Sequence, residues 1–200
     1  MQKDWFDKPI LLNTIGKTFK FLSPNTWTTI SFVLAVLGFI AVMVQALYLG
    51  MVLFILSGLG DWIDGKVARY TGQSSTLGAF WDGLIDRFVD ALLIACYFFL
   101  ELPAPDRIVG ILLFVLLFGV LLPPFIVAYA NHRGAVPDPN ERVIWRFAFR
   151  FEYIIPLVVG IYINPVNSQI SYILLWVTLV LMVATVIQST ILVFIKARDY

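Results

Sequence analysis

The chain has 200 residues, 60% of them hydrophobic and only 14% charged, with 14 Lys and Arg against 13 Asp and Glu. Ordinary soluble domains carry about 25% charged residues, so this composition, with a mean hydropathy of +0.88, excludes one. The formal net charge of +1 says little by itself, and no nucleic-acid partner is expected.

In chain order, residues 1–22 mix lysines and acids, with no uninterrupted apolar core and no small-residue cleavage site. A cleavable signal peptide is therefore not expected. The stretch "WFDKPILLNTIGKTFKFL" reads as an interfacial amphipathic helix, with lysines toward headgroups and Ile, Leu and Phe toward acyl chains. Six apolar blocks follow, at roughly 27–49, 50–70, 77–101, 107–131, 144–164 and 170–195. Each is near the ~20 residues that cross a bilayer as a helix. The connections "ELPAPDR", "HRGAVPDPN" and "INPVNSQ" carry turn residues, and no block alternates like an outer-membrane strand. The expected fold is all-α and integral to the membrane: a six-transmembrane-helix bundle behind an N-terminal amphipathic interfacial helix. Residues 1–22 form the juxtamembrane helix and 23–200 one domain. Cys96 stands alone, so neither a disulfide nor a cysteine metal site is expected.

The basic residues lie on one side of these spans. Lys3, Lys8, Lys17 and Lys20 precede the first, Lys66 and Arg69 flank the second turn, and Arg133, Arg142 and Arg146 the fourth. Lys196 and Arg198 follow the last, whereas the opposite side has only Arg107. The positive-inside rule then puts both termini and the 70–76 and 132–143 loops in the cytoplasm.

Against this background, five carboxylates inside two apolar blocks stand out: Asp61, Asp64, Asp82, Asp86 and Asp90. A charge at the bilayer centre costs about 2.5–3.5 kcal/mol on insertion scales, so such residues are functional candidates. Asp61 and Asp64 are i,i+3 on the second span; Asp82 and Asp86 are i,i+4 on the third. Each pair shares a helix face, and two antiparallel neighbours can bring the faces together. Four converging carboxylates repel unless cations lie between them. Oxygen ligands without His or Cys suit Mg²⁺ or Mn²⁺, and two such ions could clamp a diphosphate. Gly65 and Gly78 leave room beside the acids, and Arg69 can pair with a phosphate. The blander reading makes the acids structural partners of Arg69 and Arg87, but they outnumber those cations; Asp90 can pair with Arg87 at i,i+3.

The residues run Asp61-x2-Asp64-Gly65-x2-Ala68-Arg69-x8-Gly78-x3-Asp82-x3-Asp86. This resembles the signature of the CDP-alcohol phosphatidyltransferase family at all eight fixed positions over 26 residues. "SPNTWT" at 23–28 resembles the family's Pro-Asn-x-x-Thr opening of the first span. The resemblance implies a six-helix membrane enzyme that transfers a phosphatidyl-type group from a CDP-linked alcohol to an acceptor hydroxyl, releasing CMP. It implies that Asp61, Asp64, Asp82 and Asp86 hold two divalent metals, with Asp86 also the catalytic base. Gly65, Arg69, Ser75 and Gly78, with Asn25 and Thr28, would shape the CDP-alcohol site. The partners implied are a CDP-linked lipid, CDP-diacylglycerol or CDP-archaeol, and a small polar acceptor.

The flanks bear on the acceptor. "GAFWDGLIDRFVDALL" looks more like the inositol-phosphate branch than the D-P-x-x-D-K pattern of members using glycerol phosphate, although that branch commonly has Ser where Gly83 stands. Arg133, Arg142 and Arg146 are candidates for the acceptor phosphate, against an equally ordinary role as headgroup anchors. Arg142, Arg146 and Arg150 would share a face if their helix began near 140. The other outcomes are another acceptor (glycerol 3-phosphate or serine), CDP-inositol as donor, an intramembrane prenyltransferase, or a cation transporter. The prenyltransferase needs Asp motifs on two helix pairs, and the transporter needs paired halves with broken helices; neither pattern is visible. A homodimer is one reading of the apolar outer face.

Overall fold

A computed structural model describes residues 9–136 and 148–197, with side chains from residue 14. Among the described residues there is no strand. The helices are α1 (Pro9–Phe19), α2 (Pro24–Met43), α3 (Leu47–Thr71), α4 (Thr76–Ala95), α5 (Asp106–His132), α6 (Arg150–Ile163) and α7 (Ser168–Lys196). A short 3-10 turn, Cys96–Phe99, continues from α4. The chain divides into two compact units, Met1–Leu92 and Leu93–Tyr200.

In the first unit, α2 begins where "SPNT" signals it. Ser23 Oγ accepts the Thr26 N–H at 3.2 Å, and Pro24 sits in the first turn, where its missing N–H costs nothing. The apolar run expected to continue to 49 breaks earlier, at 44–46, because Gln45 adopts a left-handed φ of 62°. Uniform hydropathy across "AVMVQALYLG" conceals this turn, which has neither Gly nor Pro at its centre.

α2 and α3 then pack as an antiparallel hairpin along small residues. A Cβ on Gly50 would lie 3.0 Å from the Gly38 carbonyl, and one on Gly38 would lie 3.2 Å from the Gly50 carbonyl. Further along, Ser31 Oγ donates to the Ser57 carbonyl at 2.6 Å, and Gly60 faces the Ser31 side chain. Such close backbone approach, with hydroxyl hydrogen bonds across it, is how helices associate where lipid supplies no hydrophobic drive. α3 ends at Gly72 in the left-handed region, φ 67°, the expected glycine stop. α1 lies on α3: Gly16 has no room for a Cβ against Tyr70 and the Lys66 carbonyl. Trp27 Nε1 donates to the Phe19 carbonyl at 3.0 Å, tying the α1–α2 corner.

In the second unit, α7 packs on α5 and α6. Its buried face carries Ser171, Leu175, Thr178, Met182, Thr185 and Ser189. Thr178 and Thr185 return their hydroxyl protons to the Leu174 and Leu181 carbonyls at 2.8 Å, so these polar groups are buried at little cost. The Tyr97 hydroxyl, fully buried, donates to the Leu157 carbonyl at 2.9 Å and occupies the space a Cβ on Gly160 would need. Gly160→Val is expected to displace that hydroxyl and lower the thermal midpoint in detergent, in line with about 1–3 kcal/mol for overpacking. An unchanged midpoint would show that the turn repacks freely.

All six apolar blocks contain a helix, but among the described residues four helices are long and apolar enough to cross a membrane: Pro24–Met43, Leu47–Thr71, Asp106–His132 and Ser168–Lys196. The third block differs because α4 carries Asp82, Asp86, Arg87 and Asp90. The fifth differs because α6 has 14 residues, a rise of about 21 Å against a hydrocarbon core of ~30 Å. α6 begins at Arg150 rather than near 144, with the Phe149 N–H donating to Glu152 at 3.0 Å. Arg142 and Arg146, and with them the expected arginine column, lie outside the described residues.

Candidate active site

The α2–α3 seam ends at the acids. Below Ser31 and Gly60, the next facing pair is Thr28 and Asp64, and Thr28 Oγ1 donates to Asp64 Oδ2 at 2.6 Å. Both residues are buried, at 3% and 5% exposure. A short hydrogen bond to a carboxylate is of the stronger kind, and it fixes the Asp64 side chain against α2. Nothing in the spacing of the acids announces this contact, although both residues belonged to the expected site.

Asp61, one turn before Asp64 on α3, and Asp82 on α4 complete a cluster. One oxygen from each of Asp61, Asp64 and Asp82 lies within 4.8 Å of the others. Like charges that close repel by roughly 3 kcal/mol per pair at an effective dielectric near 20. An all-oxygen donor set of this kind fits a hard divalent cation, Mg²⁺ or Mn²⁺. Asp86, expected as the fourth member, is not in that cluster. It sits one turn along α4, with its Oδ2 3.8 Å from Arg87 Nη2.

A second convergence lies where α4 starts. Ser75 Oγ accepts the Gly78 N–H at 3.0 Å, capping the helix. A Cβ on Gly78 would stand 3.0 Å from Ser75 Oγ and 3.4 Å from Asn25 Oδ1. Asn25, Ser75 and Gly78 are thus brought together, with a bare backbone between two polar side chains. On α3, Arg69 Nε donates to the Gly65 carbonyl at 3.0 Å, and its exposed guanidinium covers the space beside Gly65. Arg133, at the end of α5 in the second unit, lies over the Tyr129 ring at 5.2 Å and donates to the Tyr129 hydroxyl at 3.0 Å.

Of two buried charged residues, one departs from its reading in sequence and the other follows it. Lys66, read as a boundary cation, is 1% exposed, and its Nζ lies over the Trp62 ring at 5.6 Å. Its position two residues from Asp64, inside α3 rather than after it, was the available signal. Asp90 is also 1% exposed and pairs with Arg87 Nη1 at 3.2 Å, as i,i+3 spacing allows.

The profile of the CDP-alcohol phosphatidyltransferase family matches residues 21–184. The chain belongs to that family. A bifunctional IPC transferase and DIPP synthase of Thermococcus kodakarensis is 32% identical over 112 residues, 56% of this chain and 24% of that protein. The chain therefore spans about a quarter of that relative's length. The archaetidylinositol phosphate synthase of Pyrococcus horikoshii is 29% identical over 173 residues, 84% of this chain and 87% of that one. The phosphatidylinositol phosphate synthase PgsA1 of Mycobacterium tuberculosis, solved with CDP-DAG bound, has a TM-score of 0.76 at 21% identity. The match covers 92% of this chain and 94% of that chain. The same protein with manganese and citrate has a TM-score of 0.73 at 22% identity, over 86% and 83% of the two chains. At those identities the likeness is one of fold. Five of the eight residues that resemble the family signature lie on α3 and three on α4.

Proposed function

We propose that the protein transfers a phosphatidyl-type group from CDP-diacylglycerol or CDP-archaeol to a hydroxyl of inositol 1-phosphate, releasing CMP. The observation that carries this reading is the three-carboxylate cluster of Asp61, Asp64 and Asp82 with a fourth acid, Asp86, one turn away. Family membership and the archaetidylinositol phosphate synthase relative support the donor class and acceptor.

In this reading Asp61, Asp64 and Asp82, joined by Asp86, hold two Mg²⁺ or Mn²⁺ ions; manganese is bound in the mycobacterial protein. When bound, such ions neutralise the diphosphate and stabilise the departing phosphate oxygen. Asp86 accepts the acceptor's hydroxyl proton as that oxygen bonds to the lipid-bearing phosphorus. The bond from that phosphorus to CMP breaks, and CMP leaves with the electron pair. Thr28 holds Asp64 in place. Asn25, Ser75 and Gly78 let the nucleotide approach backbone closely, while Gly65 and Arg69 receive the diphosphate. On the sequence alone, Arg133, Arg142 and Arg146 remain the candidates for the acceptor phosphate.

The wider setting is a six-span bundle with both termini and the site facing the cytoplasm. The distribution of Lys17, Lys20, Arg69, Arg133 and Lys196 supports that orientation, and α1 lies in the interface beside the site as an amphipathic helix. The donor's chains then stay in the bilayer while its headgroup reaches the acids.

The test is CMP release by purified protein in detergent with Mg²⁺, supplied with CDP-diacylglycerol or CDP-archaeol. Acceptors would be inositol 1-phosphate, glycerol 3-phosphate, serine and inositol. Release with inositol 1-phosphate alone is the expected result, and EDTA removes it. Release with another acceptor reassigns the acceptor. Release only from CDP-inositol moves the donor to a soluble CDP-alcohol. Metal binding without any CDP binding would return the acids to a cation pathway.

A further inference from the structure

Arg87 on α4 lies near two acids, its sequence neighbour Asp86 and Asp90 one turn on. Its Nη1 is 3.2 Å from Asp90 Oδ2, and its Nη2 is 3.8 Å from Asp86 Oδ2. The first distance is a close ion pair; the second is beyond hydrogen-bonding range. Burial tells which partner sets the geometry. The Asp90 side chain is 0% exposed, whereas that of Arg87 is 30% exposed. An enclosed carboxylate has few positions open to it, while a partly exposed guanidinium on a long stem has many. Asp90 is therefore the fixed end and Arg87 the end being held.

We infer that Asp90 is a positioning residue that restrains Arg87 beside Asp86 without letting it occupy the Asp86 oxygen. Held at this distance, the guanidinium offsets part of the negative charge of the acids. Released, it could turn its planar fork onto Asp86 in a bidentate pair. It would then take the oxygen that a metal ion or the acceptor's proton requires. Asp90 is outside the eight-residue signature, so the family pattern does not assign it this role. The inference rests on the reading of Asp86 as metal ligand and base.

The experiment is Mn²⁺ binding by the full chain in detergent without substrate, read as free Mn²⁺ by electron paramagnetic resonance, with thermal midpoints alongside. Asp90→Asn keeps the shape but removes the charge that holds Arg87. Its affinity for Mn²⁺ is expected to fall roughly threefold or more as Arg87 competes for Asp86. Arg87→Leu combined with Asp90→Leu removes the competitor and replaces a buried ion pair with apolar groups, a change proteins often tolerate. It is expected to bind Mn²⁺ at least as tightly as the unsubstituted protein. Loss of a nearby negative charge alone also weakens cation binding, so Asp90→Asn combined with Arg87→Lys separates the causes. The ammonium keeps the charge but lacks the guanidinium fork. Restored Mn²⁺ affinity there supports the restraint, whereas affinity as low as in Asp90→Asn overturns it. If Asp90→Asn does not fold, the double leucine variant carries the test: weakened Mn²⁺ binding there overturns the inference. Wild-type affinity in Asp90→Asn overturns it as well. Asp86→Asn separates the two readings. If it weakens Mn²⁺ binding and Asp90→Asn does not, the positioning role fails while Asp86 stands as a ligand. If it leaves binding unchanged, the assignment of Asp86 fails and takes the restraint with it.

Discussion

Asp64→Asn is expected to lower CMP release by roughly 10³-fold or more, equivalent to about 4 kcal/mol of transition-state stabilisation. The size follows from where the residue sits. Asp64 is the most enclosed member of the three-acid cluster, at 5% exposure, and its Oδ2 is held by Thr28 at 2.6 Å. Asparagine keeps the shape but removes the charge and presents an amide where a cation needs a carboxylate. Saturation kinetics over a Mg²⁺ titration distinguish the causes. Lost affinity alone would be recovered at high Mg²⁺, whereas a misplaced ion would leave kcat depressed at saturation. A variant within tenfold of the parent enzyme would mean that Asp61 and Asp82 suffice, and the cluster reading would have to be withdrawn. Because the substitution removes repulsion among crowded acids, the metal-free variant is expected to melt no lower than the parent.

At metal concentrations high enough to restore occupancy, Asp86→Asn should leave donor binding nearly intact while the chemical step falls by roughly 10²–10⁴-fold, the range associated with a positioned base. Asp86 lies one turn beyond the clustered acids and beside Arg87. The residues assigned to the nucleotide, Asn25, Ser75 and Gly78, converge at the start of α4. The expected pattern at saturating metal is thus a collapse in kcat with KM for the CDP-alcohol changed little, as for an interaction made only in the transition state. A rise in KM with kcat preserved would instead make Asp86 a binding group and send the search for the base elsewhere. Asp64→Asn and Asp86→Asn also fail differently in binding: the first should lose metal-dependent donor binding, the second should keep most of it.

Much of this site is local in sequence. The i,i+3 and i,i+4 spacings alone put Asp61 with Asp64, and Asp82 with Asp86, on common helix faces, because the helical repeat dictates it. Turn chemistry is equally local: Ser23 with Pro24 opens α2, Gly72 closes α3, and Ser75 caps α4. The family signature is a pattern of such local spacings, which is why eight residues over one hairpin carried it.

What the tertiary structure decided are the relations between helices and the exceptions within them. In an apolar chain, hydropathy is nearly uniform along each helix, so it does not mark which face meets a neighbour. The seam of Gly38, Gly50, Ser31 and Ser57 emerges only when two backbones approach, and it is this seam that delivers Thr28 to Asp64. The break at Gln45 was hidden for the same reason: its left-handed φ serves the hairpin's closure and follows from no local breaker. Burial of Lys66 and enclosure of Asp90 depend on what packs over them, which a one-dimensional pattern of charges does not encode. The separation of Asp86 from the other three acids is also three-dimensional. Helical periodicity aligns it with Asp82, but only the meeting of α3 and α4 determines which carboxylates share one centre. Sequence spacing thus determined which acids share a helix face, and helix packing determined which of their oxygens lie together.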